Sequence, residues 1–134
     1  LAASAGLPAA NCRLVLRASL HGHREAVTCL AASDAFSLLV TGSSDRRCLL
    51  WDLGRLCLLR QLGGHEAPVA AVCINEATGE LVSCAGARIS LWTVNGDPVA
   101  SVEAPLEPNR QILCVTMSSV GIPWWFLCLA LSRH

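Results

Sequence analysis

Apolar residues along this chain come in short runs rich in Val, Leu, Ile and Cys, each closed off by a cluster of Gly, Ser, Asn or Asp. Runs of this length, too short for helices and bounded by turn chemistry, predict β-strands. The first group covers Val27–Ser33, Leu38–Ser43, Cys48–Trp51 and Cys57–Leu62. A second group, Val69–Ile74, Glu80–Cys84, Arg88–Val94 and Pro98–Val102, repeats it, and Asn95-Gly96 supplies a tight hairpin turn that needs positive φ. Four strands followed by four more, with no helical period between them, make an all-β chain.

The two groups carry the same markers. Gly22-His23 opens the first and Leu50-Trp51-Asp52 closes its third strand; Gly64-His65 and Leu91-Trp92-Thr93 do the same in the second. The histidines stand 42 positions apart and the tryptophans 41. A period of about 40–45 residues with a Gly-His…Trp-Asp signature and four strands per unit is the mark of a WD-repeat propeller blade. The expected fold is a partial WD-repeat β-propeller: blade one at 22–62, blade two at 64–102, and the start of a third at 111–118. Arg13 to Leu20 reads as the outer strand of a preceding blade. Residues 1–12 read as a linker or fragment start, 13–118 as propeller and 119–134 as a divergent apolar tail. A ring needs about 4–8 blades, so two blades with edge strands do not close one.

Each blade of such a propeller pins its loops with a buried relay of imidazole, hydroxyl, carboxylate and indole, in which every polar group finds a partner. The matching residues in the first unit are His23, Thr41 or Ser43, Asp45 and Trp51. In the second they are His65, Ser83 and Trp92, but the spacing that joins Asp45 to Trp51 lands on Gly86 instead of an acid, and Trp92 is followed by Thr93. The Gly-His expected to open a third unit falls near Leu106-Glu107, where neither residue stands. The later units are therefore degenerate. Ser, His and Asp in one unit also invite a hydrolase reading. Against it, no G-x-S-x-G elbow or Gly-rich oxyanion loop is present, and the recurrence of His and Trp at the blade period fits a structural relay.

Ten basic and ten acidic residues cancel, with no run of one sign, which disfavours nucleic acid as a partner. Apolar residues make up 53% of the chain against 15% charged, so it is a folding polypeptide rather than a solvated one. The eight cysteines and four histidines show no metal-ligand spacing, and no metal or cofactor is expected. The cysteines read as small core residues, reduced in a cytoplasmic protein. Arg24, Arg46, Arg47, Glu66 and Arg88 fall in or beside loops that gather on one propeller face, and are the candidate contacts for protein partners. Other expected partners are the remaining blades of a parent protein.

Several stretches are more specific than the repeat: Gly22-His23-Arg24-Glu25-Ala26-Val27-Thr28-Cys29, Thr41-Gly42-Ser43-Ser44-Asp45 with Leu50-Trp51-Asp52-Leu53, Cys73-Ile74-Asn75-Glu76, Leu81-Val82-Ser83-Cys84-Ala85-Gly86, and Val94-Asn95-Gly96. From about Leu14 to Met117 the chain resembles the C-terminal propeller of BEACH-domain proteins, in the WD repeat and FYVE domain-containing (Alfy-like) branch. The resemblance implies a non-enzymatic, protein-binding module of a large cytosolic scaffold acting in selective autophagy or vesicle traffic, peripheral to endosomal or autophagic membranes. A propeller from another WD scaffold, such as a ubiquitin-ligase substrate receptor, is the alternative. No BEACH or FYVE segment lies in the sequence, so neither lipid nor zinc binding carries over to any residue. From Val120 the resemblance stops. The run from Gly121 to Leu131 is too short to span a membrane, for which about 20 apolar residues are needed, and its Trp124-Trp125 pair makes weak interfacial association a second expectation.

Overall fold

The computed structural model describes residues 13–117 and the backbone of a strand at Phe126–Cys128. Eight strands form two four-stranded antiparallel sheets, each ordered as the chain runs. The first holds β1 (Val27–Ser33), β2 (Leu38–Ser43), β3 (Cys48–Asp52) and β4 (Cys57–Leu62); the second holds β5 (Val69–Ile74), β6 (Leu81–Ala85), β7 (Arg88–Trp92) and β8 (Pro98–Glu103). These are the two predicted blades, with bounds shifted by a residue or two at β3, β6, β7 and β8. The described residues contain no helix and do not close into a ring.

Burial falls from the second and third strands outward. Nearly all of β2, β3 and β6 is buried, whereas β4 is exposed up to Leu62 and β8 throughout. A strand covered on both faces reads as a continuous apolar run, as the buried Cys48-Leu49-Leu50-Trp51 does, while an outer strand meets solvent. One core lies between the sheets, where Leu38, Val40, Cys48, Leu50 and Leu62 pack on Val69, Val72, Ile74, Leu81 and Trp92. Polar contacts stitch the same seam: the Thr28 hydroxyl reaches the carbonyls of Gly42 and Val69, Ser33 Oγ donates to Glu76 Oε2 at 2.9 Å, and Arg60 pairs with Asp97 at 2.6 Å.

A second core, with Ala71, Val82, Cys84, Leu91, Ile112 and Val115, lies on the far side of blade two. There β9 (Val115–Met117) packs on β5 and β6 and pairs antiparallel with β10 (Phe126–Cys128). The strand expected at 111–118 is thus shorter, with Ile112 held apart by its N–H bond to the Gly86 carbonyl (2.9 Å). Residues 1–12, 118–125 and 129–134 lie outside the described residues, and with them most of the apolar tail and the linker.

Two expectations are corrected. Arg13–Leu20 forms no strand, because an outer strand exists by pairing with the third strand of its own blade, and no such strand precedes it among the described residues. The cysteines are not uniformly core residues: Cys48 and Cys84 are buried and Cys29 and Cys73 partly so, but Cys57 and Cys114 are exposed, Cys57 because it opens the outer strand β4. Cys12 and the side chain of Cys128 lie outside the described residues. No disulfide joins the six described cysteines.

Candidate functional site

The chain ahead of β1, the turn between β2 and β3, and the end of β4 all lie at one end of the first sheet, as antiparallel order requires. Four side chains meet there. Trp51 on β3 donates its indole N–H to Thr41 Oγ1 on β2 at 2.9 Å, and the same oxygen lies 2.8 Å from His23 Nε2. His23 Nδ1 lies 3.0 Å from Asp45 Oδ2 in the β2–β3 turn. Asp45 accepts only, so Nδ1 carries the proton and Nε2 accepts the threonine hydroxyl. The same carboxylate takes the N–H groups of Arg24 at 2.9 Å and Arg47 at 3.0 Å. Burial works to raise the Asp45 carboxyl, but the Arg24 N–H, the His23 ring and the Arg47 N–H together hold it below the usual carboxylate value.

Of the two candidate hydroxyls, Thr41 joins the relay and Ser43 does not. Ser43 Oγ instead accepts the Asp45 N–H (3.1 Å) and donates to the Glu25 carbonyl (3.2 Å), shaping the turn that presents the acid. The threonine, histidine and aspartate lie in the order of a nucleophilic triad, yet Thr41 is only 8% exposed and its oxygen is already occupied by the Trp51 indole. A nucleophile must be reachable by substrate; this one is packed inside the blade.

Blade two repeats the arrangement and then breaks off. Trp92 donates to Ser83 Oγ at 2.9 Å, and His65 Nε2 lies 2.9 Å from that oxygen. His65 Nδ1 is buried and has no hydrogen-bond partner. The reason is the turn. In blade one the Ser43 N–H meets the Arg47 carbonyl (3.2 Å) across three residues, 44–46; in blade two Ala85, the counterpart of Ser43, pairs with Arg88 across Gly86 and Ala87 alone. Gly86, at φ 61°, makes that two-residue loop possible, and the shorter loop removes the position from which Asp45 reaches its histidine. Burial pushes the His65 imidazole below its ordinary pKa; the carbonyls of Arg46 and Gly63 favour the charged form without closing a hydrogen bond to Nδ1. The glycine that covers the indole also differs: Gly22 lies against Trp51, but in blade two Gly63, not the Gly64 of the Gly-His pair, lies against Trp92.

The candidate loop charges separate. Arg24, Arg46, Glu66 and Arg88 are exposed. Arg47 is half-buried and committed, donating from Nη1 to the Gly22 carbonyl (3.0 Å) and from Nε to Gln61 Oε1 (2.8 Å), so it ties the His23 loop to β4. Its sequence position, beside Arg46 in a turn, holds no signal of that role. Arg88 begins β7 and lies 3.9 Å from Glu103. Thr28, Ser33 and Glu76, which link the blades, carry no signal in the sequence because their partners lie 41 and 43 positions away. Among the described residues no cluster of three or more His, Cys, Asp and Glu could hold a metal ion, and no helix is long and apolar enough to cross a membrane.

Residues 14–52 match the family model "WD domain, G-beta repeat". Over 111 residues, 83% of this chain, the sequence is 50% identical to WD repeat- and FYVE domain-containing protein 4 of Homo sapiens. It is 36% identical over 84% of its length to BEACH domain-containing protein A2 of Arabidopsis thaliana. The chain belongs to the WD-repeat family, in its BEACH-protein branch. A further relative is the human lysosomal-trafficking regulator, 39% identical over 71% of this chain. The chain spans 4%, 3% and 2% of these three proteins, respectively. With 111 of 134 residues matched, the stretch shared with the human WD repeat- and FYVE domain-containing protein 4 includes β1 to β8.

Proposed function

We propose that this chain is a protein-interaction module of a BEACH-type scaffold, with its partners bound at the sheet ends where the relays lie. One observation carries the reading: the His23 loop is held by the Asp45 carboxylate and by Arg47, which leaves Arg24 and Arg46 displayed on a fixed frame. Loops ordered before binding lose little entropy when a partner docks. The relay is structural, and its chemistry is spent on holding loops rather than on turnover. The names of the relatives, one of them a lysosomal-trafficking regulator, support a setting in vesicle traffic or selective autophagy, in the cytoplasm at the periphery of endosomal or autophagic membranes. Proximity labelling of a full-length parent, with and without residues 22–102, tests the reading. Loss of a defined set of neighbours is expected, and Arg24→Glu with Arg46→Glu should lose part of the same set while leaving the melting temperature unchanged. An unaltered set of neighbours on deletion of both blades refutes it.

A further inference from the structure

Blade two holds a polar site that its own chain does not complete. A cleft of about 300 Å³ opens at its sheet end, lined among others by His65, Glu66, Gly86, Arg88, Trp92 and Glu103. His65 lines this cleft, and its Nδ1 is buried with no hydrogen-bond partner. In the pattern shared with blade one, Ser83 gives its proton to Nε2, so Nδ1 bears a hydrogen; the Arg46 and Gly63 carbonyls act on the ring, but neither closes a hydrogen bond with Nδ1. The Glu66 N–H, one residue past His65 as Arg24 is past His23, also makes no hydrogen bond to another described residue. In blade one these two donors, Nδ1 of the histidine and the next backbone N–H, converge on one carboxylate oxygen of Asp45. A buried donor left unmade is costly, and a charged acceptor relieves it best.

We propose that the cleft above Gly86 binds a single carboxylate of a partner polypeptide, which takes the place in blade two that Asp45 holds in blade one. The proposal rests on the protein-interaction reading and adds the chemistry of one contact. Gly86 supplies no side chain there, so an acceptor comes from outside; a Cβ at this position would meet the Ala67 Cβ of the His65 loop at 3.3 Å. Arg88 adds a positive charge at the rim, offset by Glu103 at 3.9 Å and joined by the exposed Glu66. Two native carboxylates at the rim make the site suited to an isolated acid in a neutral segment, not to an acidic run. Because the imidazole is neutral when the cleft is empty and a carboxylate favours its protonation, binding tightens as pH falls toward 6, where the ligand carboxylate remains ionised.

The test uses the full chain held at low density on a sensor surface, probed with capped neutral hexapeptides carrying one central Asp, its Asn counterpart, three successive Asp, or no Asp but a free C-terminal carboxylate. The Asp or the free-terminus peptide should bind at least about tenfold tighter than the Asn peptide, and whichever does so identifies the source of the carboxylate. The preference should grow between pH 7.5 and 6, and His65→Gln, which keeps a donor but cannot titrate, should flatten that pH dependence. Equal binding of Asp and Asn, tighter binding of the triple Asp, or a pH dependence that survives His65→Gln overturns the proposal. These outcomes are independent of the proximity-labelling result, because a scaffold can lose partners on deletion of its blades without using this cleft.

Discussion

Asp45 and His65 both titrate below their ordinary values, for opposite physical reasons. Asp45 is charged and hydrogen-bonded in the fold, so its contribution to stability is present above the unfolded carboxylate value of about 3.9 and is lost as pH falls through the lower folded value. His65 is kept neutral by burial, so its contribution is full above about 6.5 and fades as pH falls from there toward its folded value. Acid should therefore loosen the chain in order. Hydrogen exchange corrected for intrinsic rates should show residues 64–102 losing protection between pH 7 and 5 while 22–62 keep it until about pH 4; simultaneous loss would contradict this. Asp45→Ala strands the His23 ring and the Arg24 and Arg47 N–H groups, and should cost about 2–3 kcal/mol in urea unfolding. Trp51→Phe, which frees one bond to Thr41, should cost about 1 kcal/mol.

The strands themselves are legible in the order of residues. Short runs with Val, Leu and Cys cannot be long helices, and their turn residues locate β1 to β8 within two positions. Arg13–Leu20 misleads because an apolar run with strand chemistry stays unpaired when no neighbouring strand offers hydrogen bonds. At β2 a further limit shows: a Cβ on Gly42 would sit 2.5 Å from Val69 Cγ1 and 2.6 Å from Cys29 Sγ, so blade two presses directly on the backbone of blade one. Gly42→Val should overpack that seam by about 1–3 kcal/mol, whereas Val99→Thr on the exposed β8 should move the melting midpoint little. Comparable losses at the two positions would show that the blades do not meet at Gly42.

The apolar seam, rather than its polar stitches, holds the two sheets together. Arg60 and Asp97 are 46% and 56% exposed, so their ion pair contributes less than about 1 kcal/mol; Leu50→Ala, in the shared core, should cost about 2–5 kcal/mol. Beyond the seam, Val27 and Leu30 on β1 remain 52% and 65% exposed, and Leu14 and Leu16 ahead of it are open to solvent. An open sheet flank with exposed apolar side chains is prone to pair with another copy. The isolated chain should run as oligomers in size-exclusion chromatography with light scattering, and a sharp monodisperse monomer would refute that expectation.

The all-β class, the blade period and the residue types of the first relay can be read from the chain itself, because strand length, turn chemistry and a repeat of about 40–45 positions are local or periodic properties. The missing acid of blade two can be read too, from spacing alone. Folding settles the rest. It chooses Thr41 over Ser43, commits Arg47 to the Gly22 carbonyl, places Gly63 over Trp92 and leaves His65 Nδ1 buried with no hydrogen bond. Each of these depends on distances between atoms far apart in the chain, and such distances are set by how two sheets pack rather than by any stretch of sequence within one of them.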